Sequence, residues 1–236
     1  ADRTAPAAGE LAFEDSVETE YVPGSVLHHV DFTKVSSFDE TGYYIGKAAT
    51  NDNTTAELTA EGLRIQTTDG KAFLVPTGVT LPKKILNYSI VVKFRFVSQS
   101  KKYFVFGPAA KVNEDGTVDF QKGDMCFRYG TKEWMFDGSE LEADYTVDQA
   151  LKIFDSRDSF KDLTVTISLF GMKINNVAVT DGETSVQFKG RDVRGLSNLN
   201  WGFLVGTESD VCISSITMIA GEAGSYTDVI WPGEAG

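Results

Sequence analysis

An all-β sandwich of two antiparallel sheets is the fold class this sequence predicts, on three observations. Apolar and polar residues alternate with a period of two over several long runs. Sixteen Phe and eight Tyr favour strands, because aromatic rings suit a pleated, half-buried surface. Turn signals at Asp69-Gly70, Asp115-Gly116, Asp137-Gly138 and Asp181-Gly182 cut the chain into short segments.

Taken in order, the strand candidates begin with Val26 to Phe32, Gly42 to Lys47, Leu63 to Thr67 and Ala72 to Val75. Leu86 to Phe96 is the clearest. Leu86, Tyr88, Ile90, Val92, Phe94 and Phe96 share one face, and Asn87, Ser89, Lys93 and Arg95 share the other, with Val91 and Val97 as exceptions. One face is expected in a core and the other largely in water. Tyr103 to Phe106, Met125 to Tyr129 and Glu133 to Phe136 follow. One short helix is expected near 147–154, where Val147, Ala150, Leu151 and Phe154 fall at helical spacing behind a capping box of Thr146 and Gln149. Leu163, Val165, Ile167 and Leu169 then alternate with Thr164, Thr166 and Ser168, and Lys173 to Val179 returns beside them. Asn175-Asn176 breaks that second alternation, which predicts a bulge or bend. Ser185 to Lys189, Trp201 to Val205 and Val211 to Ile219 complete the set.

The chain has 236 residues and no internal repeat or interior linker, so one domain over 26–236 behind a lead-in over 1–25 is the simplest division. A formal net charge of −12 repels phosphate backbones and anionic lipid surfaces, which argues against nucleic acid and membrane partners. No apolar run reaches the ~18 residues of a membrane-spanning helix. The first ten residues lack the apolar stretch of a signal peptide and read as a mature or trimmed start. Cys126 and Cys212 both fall in strand-like runs, where two buried thiols or a single disulfide are open readings. Two acceptor triplets for N-glycosylation occur, at Asn53-Thr54-Thr55 and Asn87-Tyr88-Ser89.

The order of certain segments resembles a known superfamily. Val30-Asp31-Phe32 leads into Thr41-Gly42-Tyr43-Tyr44 and Gly62-Leu63-Arg64-Ile65, then the strand ending Val92-Lys93-Phe94-Arg95-Phe96. Leu163-Thr164-Val165-Thr166-Ile167 follows, and the series closes with Trp201-Gly202-Phe203-Leu204-Val205-Gly206 and Val211-Cys212-Ile213-Ser214-Ser215-Ile216. This is similar to the concanavalin A-like lectin and glucanase superfamily, including laminin-G-like modules. The resemblance runs from about residue 26 to 219 and lies in pattern and order. It implies a jelly-roll sandwich with ligands on the concave sheet or at rim loops. The fold hosts lectins, hydrolases, lyases and adhesion modules, so it does not decide between them.

The search for chemistry narrows that range. Retaining glucanases of the superfamily carry Glu-x-Asp-x-x-Glu on one strand face, where two carboxylates about 5 Å apart serve as nucleophile and acid. The nearest cluster, Glu14-Asp15-Ser16-Val17-Glu18, has the wrong spacing. Glu133 and Asp137 would share a strand face but stand about 13 Å apart. The lyase motifs of the superfamily are absent too. His28 shares a face with Val26, Val30 and Phe32 and reads as a core residue, while His29 points the other way, so the two cannot hold one metal. No Gly-x-Ser-x-Gly nucleophile motif or phosphate loop occurs. Enzymatic activity is therefore not expected.

Calcium is not dismissed, although no cofactor is predicted outright. Asn113 to Asp119 resembles part of a calcium loop, yet Lys111 stands where the first acidic ligand belongs, and a hairpin turn is the better reading. Rim segments such as Asn51-Asp52-Asn53 or Ser209-Asp210 could supply oxygens. Sugar rings stack on aromatic faces. Among the aromatics, Trp201 alternates with Phe203 and Val205 and is assigned to the core. Trp134, Tyr129, Arg128 and Asp137 form the candidate ligand-binding set. The expectation is a non-catalytic carbohydrate-binding or adhesion module of a secreted or cell-surface protein, its partner a glycan or a surface protein. The alternatives are a glycoside-acting enzyme with a non-standard site and a structural module of a surface assembly.

Overall fold

A computed structural model of the chain describes residues 9–10, 22–47, 54–77, 87–97, 103–120, 127–130, 133–136, 139–140, 161–170, 173–183, 185–192 and 201–221. Two antiparallel sheets make a jelly-roll-type sandwich. The first has, in spatial order, β12 (Ser139–Glu140), β11 (Glu133–Phe136), β10 (Phe127–Gly130), β8 (Phe104–Val112), β16 (Trp201–Val205), β6 (Ala72–Pro76) and β3 (Tyr43–Lys47). Two short strands, β1 (Gly9–Glu10) and β9 (Val118–Phe120), pair with β8 off this path. The second sheet runs β15 (Ser185–Asp192), β14 (Lys173–Thr180), β13 (Leu163–Phe170), β7 (Asn87–Phe96), β17 (Asp210–Ala220), β5 (Gly62–Thr67) and β4 (Thr54–Thr59), with β2 (Val26–Asp31) also paired to β17. The expected helix near 147–154 lies outside the described residues. A short 3-10 turn, Phe38–Thr41, leads into β3.

The chain crosses repeatedly between the sheets, so most neighbours within a sheet are distant in sequence. Strand β7 lies against β13 on one side and β17 on the other. Its inward residues Tyr88, Ile90, Val92, Phe94 and Phe96 are buried, as the alternation predicts. They face Phe104, Phe106, Trp201, Phe203 and Val205 of the first sheet. Two hydrogen bonds also cross the sandwich, one buried and one half-buried. Trp201 Nε1 donates to the Tyr88 hydroxyl at 3.2 Å, and His28 Nε2 lies 3.0 Å from the Tyr43 hydroxyl. Buried polar groups need such partners, because an unpaired one loses its bonds to water.

The expectation of one wet face on β7 and β13 holds only in part. Lys93 is exposed, but Ser89, Val91, Thr166 and Ser168 are buried on the outward side. Ser89 Oγ donates to the Gly221 carbonyl at 2.8 Å, so small hydroxyls there are satisfied within the protein. The bulge expected at Asn175-Asn176 is present. Ser168 pairs with Asn176 and Leu169 with Ile174, which leaves Asn175 as the extra residue.

Candidate functional site

Among the described residues, the outer face of the first sheet carries a second layer of chain. Successive residues of a strand point to opposite sides. Tyr43 and Leu74 belong to the central core, so Tyr44, Phe73 and Val75 face outward. Leu204 and Val105 join them, giving a second, smaller cluster outside the sandwich. Val112 and Val118 complete it from above, with Tyr103 packed at its margin.

The two valines arrive there because β8 changes partners. Phe104 to Pro108 pair with β16, whereas Ala109 to Val112 pair with β9. Gly9 and Glu10 add a third strand opposite Val112 and Lys111. Proline has no N–H to give to a ladder, and a register shift between Ala109 and Lys111 adds a bulge just beyond it. The result is a small β1–β8–β9 flap lying over the outer face of β3, β6 and β16. Its tip is the turn 113–117. Asn113 N donates to the Thr117 carbonyl at 2.7 Å, and Asp115 Oδ1 accepts from Thr117 N and Oγ1 at 3.0 and 2.7 Å. Those bonds from Thr117 hold the Asp115 carboxyl below its ordinary range. The segment is thus the hairpin turn expected from Lys111, with Asp115 bonded inside it.

Beyond the flap the same face continues onto β10, β11 and β12. Register places Arg128 beside Val105 on one side and Met135 on the other, and Met135 beside Glu140. The row Val105–Arg128–Met135–Glu140 is therefore continuous. Gly130 opposite Glu133 lies one row along on the same face. Tyr129 and Trp134 pair in the alternate row, opposite Phe104. Tyr129 is buried in the core, with its ring centroid 5.4 Å from that of Phe96. Arg128 and Tyr129 thus occupy opposite faces of β10. Asp137 lies outside the described residues.

The rim oxygens considered for calcium at Ser209-Asp210 already have partners. Asp210 is buried and accepts from Arg64 Nε at 3.0 Å and Nη2 at 2.7 Å. Ser209 Oγ accepts from Tyr103 N at 2.9 Å and donates to the Thr207 carbonyl at 3.1 Å. Asn51-Asp52-Asn53 lies outside the described residues. Among the described residues no group of three or more His, Cys, Asp or Glu side chains is gathered around a metal-sized space. His29 Nδ1 lies 2.8 Å from Thr217 Oγ1 on the outer face of the second sheet, opposite to His28 as expected. Cys212 is a free, buried thiol in register between Arg95 and Arg64, and burial raises its pKa. Cys126 lies outside the described residues.

No protein-family profile matches the chain, and no curated protein matches it. Solved structures similar to it include the VIP36 exoplasmic/lumenal domain in a Ca2+/Man3GlcNAc-bound form, at 11% identity and a TM-score of 0.49, covering 82% of this chain and 86% of that one. A protein of unknown function with a galectin-like fold from Bacillus subtilis is similar at 10% identity and a TM-score of 0.49, covering 86% and 100%. The carbohydrate esterase vb_24B_21 from Shiga toxin-encoding bacteriophage phi24B is similar at 11% identity and a TM-score of 0.48, covering 84% and 99%.

Proposed function

We propose that residues 26–236 form one carbohydrate-binding domain of a secreted or cell-surface protein, without catalytic activity. The observation that carries this reading is the shape of the first sheet's outer face. The flap makes a wall over β3, β6 and β16, and the floor runs on past it along the row Val105–Arg128–Met135–Glu140. A wall beside a floor with apolar and charged positions side by side suits a sugar, which offers an apolar ring face and a rim of hydroxyls. Sequence motifs for paired carboxylates or an activated nucleophile are missing, and the walled half is filled by Val112 and Val118, which favours binding over catalysis.

Of the sequence-derived set, Arg128 is the residue assigned to the ligand, because its row lies on the outer face. Tyr129 lies in the buried row behind it, and Trp134, in register with Tyr129, is kept in the proposed set. Asp137, just after β11, is kept as a flanking contact. The structural-module reading gains less support. Val22 and Phe170 are the exposed large hydrophobics among the described residues and are separated in the chain and the fold.

Glycan arrays and calorimetry, each with and without calcium, test the proposal. The protein should retain at least one glycan class. The substitution Arg128→Ala should weaken that binding by about tenfold or more, the worth of a charge-assisted hydrogen bond. No retained glycan in either condition would overturn it.

A further inference from the structure

The flap over the first sheet is joined to its floor in a way that allows it to lift as a unit. Its strands β1 and β9 and the 109–112 stretch of β8 are paired to one another and not to β3, β6 or β16. Among the described residues the strand shared with the sheet is β8, which leaves β16 after Pro108 and pairs with β9 from Ala109 on. Pro108 has no N–H to bind the sheet, and the bulge beyond it bends the strand away. Val112, Val118 and the bond from the Tyr44 hydroxyl to the Gly116 carbonyl, 2.7 Å long, hold the flap down. The floor beneath is apolar and buried, formed by Tyr44, Phe73, Val75 and Leu204.

Gly46 marks how closely the two surfaces fit. A Cβ added there would lie 2.5 Å from Val118 Cγ2 and 3.3 Å from the Gly116 carbonyl oxygen. Any larger residue at 46 would meet the flap, so the closed position depends on the missing side chain.

We propose that the β1–β8–β9 flap is a lid, hinged at the bulge just beyond Pro108, that opens to expose the Tyr44–Phe73–Val75–Leu204 platform to a ring-shaped ligand. That the ligand is a sugar rests on the carbohydrate reading; the motion does not. In the closed state the platform is dry. A minor open state of the kind common in two-state equilibria would uncover it without unfolding either sheet.

Thiol labelling tests the lid in the full chain, in a background carrying Cys126→Ser and Cys212→Ser. Val75→Cys places a probe under the flap, and Leu74→Cys places one on the core side of the same strand. With 5,5′-dithiobis-(2-nitrobenzoic acid) as the reagent, the probe at 75 should react at least tenfold faster than the probe at 74. Adding Gly46→Ala should speed the probe at 75 again while leaving the probe at 74 unchanged. Tyr44→Phe, which removes only the hydroxyl, should do the same by about fivefold and serves if Gly46→Ala fails to fold. Equal rates at 74 and 75, or equal acceleration of both, mean that exposure needs global unfolding, and the lid is then wrong. Selective labelling at 75 with no glycan retained on the array leaves the lid standing and removes the sugar. Glycan retention with equal labelling removes the lid alone.

Discussion

His28 stands between the two sheets, and its charge state is coupled to its burial. Burial first, and the neighbouring His29 second, lower its pKa from 6.5 to about 4. Its partner Tyr43 is fully buried and pushed above the usual phenol range, so its hydroxyl stays protonated beside His28 Nε2. The unfolded chain takes up this proton near pH 6.5, whereas the folded protein resists it until about pH 4. The contribution to stability is therefore complete above pH 6.5 and is lost as the pH falls towards 4, by roughly 3 kcal/mol at most. Asp31 does not confuse this window. Its partial burial is outweighed by the Thr33 hydrogen bonds and Lys34, which leave its pKa below 3.8. His28→Gln, which keeps an acceptor but does not titrate, should flatten the decline. Urea midpoints at pH 7 and pH 4.5 check this, and equal losses in both proteins would refute it. The core role of His28 was legible from its place beside Val26, Val30 and Phe32. The commitment of Asp210 to Arg64 was not, because 146 residues separate the partners.

Strands were legible where alternation was strong and missed where it was weak. β11 and β16 have the bounds the sequence predicts, and β7 and β13 differ by a single residue at one end. β4, with the sequence Thr-Thr-Ala-Glu-Leu-Thr, was missed because small and polar residues dominate it and its register against β5 supplies the order. The sequence reading ends β8 at Phe106, whereas the strand runs to Val112. Gly107 and Pro108 stay paired with β16, and the strand continues past them into the flap. The β4–β5 turn offers a test at this scale. Gly62 has φ of 131°, and a Cβ there would sit 2.3 Å from the Ile213 carbonyl oxygen on the neighbouring strand. Gly182 has φ of 93° with nothing within 4 Å of the added atom. Gly182→Ala should cost about 1 kcal/mol of backbone strain, and Gly62→Ala at least about 1 kcal/mol more, because β5 must move away from β17. Denaturant titration of the two variants measures the difference, and equal costs would show that the close approach to β17 is not a constraint.

Across the whole molecule an aromatic network joins the sheets. Phe94 and Phe96 come from one sheet, and Phe104, Phe106, Phe203 and Tyr129 from the other. Phe94 and Phe104 approach to 4.9 Å between ring centroids, and Phe104 and Phe106 to 4.6 Å. Phe104→Ala should cost about 3–5 kcal/mol by opening a cavity between the layers. Both sheets should still melt together, with coincident far-ultraviolet dichroism and tryptophan fluorescence transitions. Two separated transitions would contradict a single domain. The sequence by itself determined the strand periodicity, the apolar face of each long strand, the turns and the acidic character, because these depend on residues a few positions apart. Only the tertiary structure decided which outward faces stay dry, that Tyr129 takes the core face of β10, and that a flap covers part of one sheet. Those outcomes depend on register between strands far apart in the chain, and a one-residue difference in register exchanges the faces. The all-β sandwich was thus written in local pattern, while the layering over the first sheet was decided by the pairing of distant strands.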